Sequence, residues 1–306
     1  SIVYVFVTTA CYWHFTRWRP TLQINFAPIK EMFGFSGKLL VTNVFNHINN
    51  NLFSVILGKF YSEQEVGYYS QANKWCSMGQ QFISGMINGV AQPVLTKVSD
   101  DLERQRRGFR KMLRFTAFIS FPAMLGLGII SEELITITIT DKWYSSVSIM
   151  QILCISGAFI PVSNLYQQLI ISKGKSRIYM WNTITLGIIL MAGVLLVHSH
   201  GIYAMLAIYV SINILWLLTW HYFVQREIGL QLRQALADIL PYAIIAATVM
   251  AVSYYSTRFV ENIYIRLPSK IMLAAALYIA AMWASRSVTF KEIIAYFIKK
   301  KADGHE

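Results

Sequence analysis

A series of apolar segments, most of them about as long as a bilayer is thick, constrains this chain more than any other feature of its sequence. Crossing about 30 Å of hydrocarbon takes about 20 helical residues. Charged residues make up 14% of the chain, whereas an ordinary soluble domain carries about 25%. This excludes a soluble enzyme, a disordered chain and a compact nucleic-acid-binding domain. The sequence predicts an all-α membrane protein with about nine spans, at 1–16, 37–58, 69–95, 112–139, 147–171, 178–198, 202–224, 239–257 and 268–285.

The positions of lysine and arginine support this assignment of spans. When the connections are assigned to alternating sides of the membrane, 21 of the 27 basic residues fall on one side. Basic loops stay in the cytoplasm, so we expect that side, and the C-terminus with it, to be cytoplasmic. The same distribution accounts for the net charge of +12 without nucleic acid as a partner.

The spans divide the chain into four predicted regions. Residues 1–19 are interpreted as the end of a truncated transmembrane helix, because the apolar run after Ser1 is shorter than a full span. We therefore expect the chain to be the C-terminal part of a longer protein. Residues 20–36 are expected to form a cytoplasmic linker, 37–224 a six-helix lobe, and 225–306 two further helices and a basic cytoplasmic tail.

The third predicted span carries a polar stripe. Lys74 lies inside this span, and charge within hydrocarbon is costly. A polar stripe along a membrane helix faces either a water-filled cavity or a packing seam against other helices. The cavity is the favoured interpretation because a lone lysine is a costly way to form a seam, although Lys74 could instead snorkel to the outer surface. The stripe consists of Gln71, Lys74, Met78, Gln81, Gly85, Asn88 and Gln92.

Two other spans have polar faces. The second span carries Asn43, Asn46, His47, Asn50 and Ser54 on one face, while Asn49 and Asn51 lie off it. His47 could carry a proton at neutral pH, but a hydrogen-bonded structural histidine is the more common case. In the fifth span, packing and cavity lining are equally good interpretations of Ser163, Asn164, Gln167 and Gln168.

The sequence contains no phosphate loop, zinc motif or nucleophile elbow, so no catalytic residue, metal or cofactor is predicted. Three cysteines, Cys11, Cys76 and Cys154, lie in apolar stretches without paired spacing. We expect all three to be buried, unreactive thiols.

Two strings of residues carry a resemblance to a known family. FGFSGKLLVTN and ILGKFYSEQEVGYYSQANKW resemble the start of the second lobe of polysaccharide flippases, the O-antigen, teichuronic acid and colanic acid exporters of the MOP superfamily. The matching positions are Gly58-Lys59 and the run from Gly67 to Lys74. AQPVLTKVSDDLERQRRGFRKMLRF also resembles the family pattern. The resemblance implies helices six to fourteen of a fourteen-helix, two-lobed transporter.

The resemblance also implies a substrate and a mechanism. The family moves undecaprenyl-diphosphate-linked oligosaccharide from the cytoplasmic to the periplasmic leaflet of the bacterial inner membrane by alternating access. Lys74 would contact the diphosphate and the polar stripes the sugar hydroxyls. Asn50 and Phe53 depart from the family, whose members often carry Arg and Asp in this helix, which removes any charged pair there. Without helices one to five, the chain alone is not expected to transport.

Two other functions are compatible with the sequence. A drug or small-molecule antiporter would share the fold but needs a membrane carboxylate, and none lies in the middle of a predicted span. A membrane glycan polymerase or ligase needs a catalytic surface on the periplasmic side, usually a long loop. The longest connection predicted there, about 258–268, is short and lacks clustered acids or histidines.

Overall fold

The computed structural model describes residues 2–16, 27–97, 101–285, 289, 290 and 292, and it is α-helical throughout this part of the chain. Short connections join the helices, and two of these contain a single 3-10 turn, at Asp141–Trp143 and His198–His200. The helices are α1 (Ile2–Phe15), α2 (Ala27–Phe60), α3 (Glu63–Lys97), α4 (Leu102–Ile129), α5 (Ser131–Ile139), α6 (Ser146–Ser172), α7 (Ser176–Leu196), α8 (Ile202–Ile228), α9 (Leu232–Thr257) and α10 (Ile263–Ala284).

Six of the described helices are long and apolar enough to cross a membrane: α4 and α6 to α10. The expected all-α membrane fold is therefore confirmed, whereas the count of nine spans stays a prediction. Helices α2 and α3 are longer than any of the six. Their apolar sequence, however, is interrupted by the polar residues described above. A helix with that much polar surface requires protein or water beside it rather than lipid.

The predicted span at 112–139 is two helices rather than one. Helix α4 begins ten residues earlier, at Leu102, where the side chain of Asp101 accepts a hydrogen bond from the backbone N–H of Arg104. It ends at Ile129, and α5 starts at Ser131. The Ser131 hydroxyl donates to the carbonyl of Gly128, which satisfies a backbone acceptor at the end of α4. The polar stretch at the break, Ser131 to Glu133, is short and apolar residues resume at Leu134, so an average of hydropathy over a whole span does not detect it.

Helix α6 lies at the centre of the fold, packed against α3, α4 and α8. Its contacts with α3 and α4 form most of the core, which includes the fully buried side chains of Tyr69, Phe109, Phe121 and Tyr166. Helix α2 packs mainly on α7, and α9 packs on both α4 and α10. The outer surfaces of α2 and α3 are therefore left without cover from the rest of the described chain.

Candidate functional site

The polar stripe of α3 lies on the side of the helix that faces away from the core. Lys74, Gln81 and Asn88 are exposed and Gln71 is half-buried. The opposite side of α3 is fully packed, with Ala72, Cys76, Ile83, Ile87 and Ala91 buried. Met78 and Gly85 of the stripe are also exposed, whereas the side chain of Gln92 is outside the described part of the structure. The stripe is thus a polar surface that the described helices leave open.

Helix α2 presents one polar set outward and a second set inward. Asn43, His47 and Asn50 are exposed. Asn46 is half-buried, and its Nδ2 donates to the hydroxyl of Tyr179 on α7 at 3.0 Å. Asn46 therefore differs from the other candidates on this helix, because its amide is already engaged within the lobe.

The polar residues of α6 lie in its contact with α3. The Nδ2 of Asn164 donates to the hydroxyl of Ser84 at 2.9 Å. Gln168 donates to the side-chain oxygen of Asn88 at 3.2 Å, and Gln167 is half-buried beside them. The interaction of Asn88 with α6 leaves it at the edge of the exposed stripe, while Lys74 and Gln81 lie further from this seam.

The two exposed polar faces consist mainly of amides, with Lys74 on α3 and His47 on α2. Amides and a lysine ammonium are donors for phosphate and hydroxyl oxygens. The described residues include no group of three His, Cys, Asp or Glu side chains that could hold a metal ion. The donors on these faces are suited to hydrogen bonding with phosphate and hydroxyl oxygens.

Residues 1–148 match the model of a family described as "Polysaccharide biosynthesis protein". The lipopolysaccharide biosynthesis protein WzxC of Escherichia coli K12 is 28% identical over 171 residues, which is 55% of this chain and 35% of WzxC. The teichuronic acid biosynthesis protein TuaB of Bacillus subtilis 168 is 24% identical over 278 residues, 88% of this chain and 57% of TuaB. The predicted resemblance to polysaccharide flippases is confirmed.

The fold of the present chain is also found in a solved structure. Lipid II flippase MurJ, in an inward closed conformation, superposes with a TM-score of 0.67 at 15% sequence identity, covering 95% of this chain and 60% of MurJ. The chain thus spans about a third to three fifths of the length of the proteins it matches. The relatives and the six apolar helices together make it a multi-pass membrane protein.

In the present chain, a buried ion cluster that the sequence pattern did not reveal joins α4 to α9. Asp238 is buried, with 5% of its side chain exposed. It accepts two hydrogen bonds from Arg110, at 2.6 and 3.1 Å, and one from Arg114 at 3.1 Å. In the sequence, such a pairing is indicated by an aspartate near the start of one apolar helix and by arginines at four-residue spacing on another.

A second ion cluster joins α5 to α10, next to the C-terminal end of α4. Glu133 is fully buried, and its Oε1 lies 2.5 Å from the Nζ of Lys270 and 2.7 Å from the Nε of Arg266. Lys270 also donates to the carbonyl of Ile129, where α4 ends, at 3.0 Å. Arg266 donates to Glu132 at 2.9 Å. Both carboxylates are ion-paired within the protein, and Glu133 is fully buried, so its carboxylate is not open to a substrate, although its Oε2 has no hydrogen-bond partner among the described residues.

The cysteines differ from expectation in one respect. Cys11 is exposed, which corrects the prediction that all three thiols are buried. Helix α1 presents Cys11 on a surface that no other described helix covers, and hydropathy alone does not distinguish such a surface from a core. Cys76 and Cys154 are buried, and their Sγ atoms lie 3.3 Å apart between α3 and α6.

Proposed function

We propose that the full-length protein flips a lipid-linked oligosaccharide across the bacterial inner membrane for surface polysaccharide assembly. The substrate class is an oligosaccharide on undecaprenyl diphosphate, and the mechanism is alternating access. The protein acts as a transporter rather than an enzyme, with its C-terminus in the cytoplasm. The described helices form its second lobe.

The observation that carries this proposal is the range of products named in the relatives. They are named for lipopolysaccharide in WzxC, teichuronic acid in TuaB and succinoglycan in ExoT of Rhizobium meliloti. These glycans differ in their sugars, so what the proteins share is best explained by a common carrier and a common membrane step. ExoT is named as a transport protein, and the fold that covers 95% of this chain belongs to a lipid II flippase.

The exposed faces of α2 and α3 supply the substrate surface in this proposal. Lys74 binds the diphosphate, and Gln71, Gln81 and the outward amides of α2 donate to sugar hydroxyls. A lysine ammonium attracts phosphate more strongly in a cavity than in bulk water, because the local dielectric is lower. Such a polar surface cannot face lipid. We infer that an N-terminal lobe of the same protein covers it, which agrees with the part of each relative that this chain leaves unmatched.

The test replaces Lys74 in the full-length protein in cells that depend on it for surface polysaccharide. A charge-assisted hydrogen bond contributes about 1.5–3 kcal/mol, so we expect Lys74→Ala to lower export by about tenfold or more. Lipid-linked oligosaccharide should accumulate on the cytoplasmic leaflet, where a glycan-specific lectin would measure it in inverted vesicles. Lys74→Arg should retain most export, because a guanidinium also binds phosphate.

Lys97→Ala is the matched control, because Lys97 is an exposed lysine on the same helix but lies outside the stripe. It should leave export unchanged. Normal export by Lys74→Ala at wild-type protein levels would contradict the diphosphate role. In cells that lack the whole protein, lipid-linked oligosaccharide that still reaches the periplasmic leaflet at the normal level would contradict the transport proposal itself.

A further inference from the structure

The side of α2 that packs on the lobe is a seam with two asparagines at its centre. Residues 42, 46, 49, 53 and 56 follow one another at steps of four and three, which places them on one face of a helix. Thr42, Phe53 and Ile56 are buried, while Asn46 and Asn49 are half-buried between them. Helix α2 meets α7 at the two asparagines, while Phe53 packs against Tyr69 of α3 and Tyr209 of α8.

Both asparagines have specific partners on α7. The Nδ2 of Asn46 donates to the Tyr179 hydroxyl at 3.0 Å, and the Nδ2 of Asn49 donates to the carbonyl oxygen of Thr183 at 3.0 Å. Asn49 also fills the space beside Gly187, since a Cβ at residue 187 would lie 2.1 Å from the Asn49 Oδ1. Because Gly187 has no Cβ, the amide of Asn49 can pack directly against the backbone of α7.

A second polar set of α2, exposed at residues 43, 47 and 50 and half-buried at Ser54, repeats the seam one residue later. Asn43, His47, Asn50 and Ser54 have the same spacing as residues 42, 46, 49 and 53, displaced by one residue or about 100° around the helix. A rotation by that angle would exchange the two sets. Both sets contain two asparagines, so the asparagines alone do not determine which set faces α7.

The geometry points to Asn46, Asn49 and Gly187 as positioning residues that fix the rotation of α2 and so keep Asn43, His47 and Asn50 outward. A polar residue within a helix seam specifies register more than it adds stability, and hydrogen bonds between membrane helices are modest. That the outward set contacts substrate rests on the function proposed above. The assignment of the rotation of α2 does not depend on that function.

The experiment measures which face of α2 is accessible to water, in the full-length protein with its native cysteines removed. Single cysteines are introduced as Thr42→Cys in the seam and His47→Cys on the outward set, and a small water-soluble methanethiosulfonate labels them. We expect the labelling rate at residue 47 to exceed that at 42. In Asn49→Ala, and also in Asn46→Ala, the ratio of the two rates should fall by about threefold, the population change that losing one hydrogen bond between membrane helices produces.

Gly187→Ala is the second variant and removes no polar atom. Its methyl group displaces the Asn49 amide, so the labelling ratio should fall as in Asn49→Ala. The double variant should match either single one, since they disrupt the same contact. Asn51→Ala is the matched control because Asn51 donates to the carbonyl of His47 on its own helix. It should leave the ratio unchanged.

An unchanged ratio in both Asn49→Ala and Gly187→Ala would overturn the inference, as would an equal fall in Asn51→Ala. If the ratio changes as expected while full-length protein without substitutions exports no polysaccharide, the register assignment stands and the proposed function fails. If export proceeds and the ratio changes in none of the variants, the proposed function stands and the register assignment fails.

Discussion

Two arginines share one buried carboxylate where α4 meets α9, and their geometry determines what each residue contributes. Asp238 is almost fully buried, whereas Arg110 and Arg114 keep 31% and 25% of their side chains exposed. Both oxygens of Asp238 accept hydrogen bonds from the pair. The aspartate is thus the member that cannot be removed alone, since its loss leaves two cations in a partly dry site.

We expect Asp238→Asn to destabilise the full-length protein by about 3 kcal/mol, the lower end for breaking a buried pair, because the arginines retain some water. The measurement is the midpoint of thermal unfolding in detergent, followed by loss of the monodisperse chromatographic peak. Asp141→Asn makes the same chemical change at an exposed aspartate and should leave the midpoint unchanged. Equal midpoints for the two variants would mean that the cluster does not hold α4 against α9.

At the scale of single helices, the hydropathy pattern placed most elements correctly. The predicted span at 147–171 is the helix Ser146–Ser172, and that at 178–198 is Ser176–Leu196. Such agreement follows because a long apolar run has few alternatives to a helix in lipid. The break at Ile130 was missed, since its causes are the Ser131 hydroxyl bond and the ion pairs of α5, which are invisible in an average of hydropathy.

The candidate site was predictable only in part, for a related reason. Spacing places Lys74, Gln81 and Asn88 on one face of α3, and the structure leaves that face exposed. Spacing cannot tell which asparagine of α2 meets α7, because Tyr179 lies 133 residues away from Asn46 in the chain. Partners at that separation are set by the fold, and a single sequence does not carry them.

The basic first turns of α4 lead to a prediction about its orientation. Basic residues cluster between Arg104 and Arg114, which indicates that this end is cytoplasmic. In intact cells, an impermeant maleimide should label Glu63→Cys at the start of α3 and fail to label Glu103→Cys. Both positions are exposed, so both should react once the membrane is permeabilised. Labelling of Glu103→Cys in intact cells would mean that the orientation is inverted.

At the scale of the whole molecule, the lobe has one well-packed interior and one polar surface without cover. The interior centres on α6, with α3, α4 and α8 around it, while α2 and α3 direct amides and Lys74 outward. In a single membrane lobe this surface would contact lipid, which cannot satisfy it. Alternating access requires a second body that moves against the first.

We therefore expect the 306 residues alone to restore no polysaccharide export in cells that lack the full-length protein. Co-expression with a separate N-terminal portion of the same protein should restore it, because the two lobes would meet along the exposed faces of α2 and α3. The measurement is surface polysaccharide, at protein levels matched by immunoblot. The control is the same co-expression with Lys74→Ala in this chain, which should fail. Export by these residues alone would contradict the two-lobe arrangement.

The cluster on α5 and α10 also has a consequence for how the protein is made. Glu133 and Lys270 lie 137 residues apart in the chain, so the carboxylate is synthesised long before its cation. A membrane insertion machinery handles a helix such as α10 with difficulty, because Arg266 and Lys270 disfavour its entry into lipid. The two glutamates on α5 form ion pairs with these cations, which offsets part of the cost of placing them in the membrane. We therefore expect insertion of α10 to depend on correct placement of α5 in the same chain.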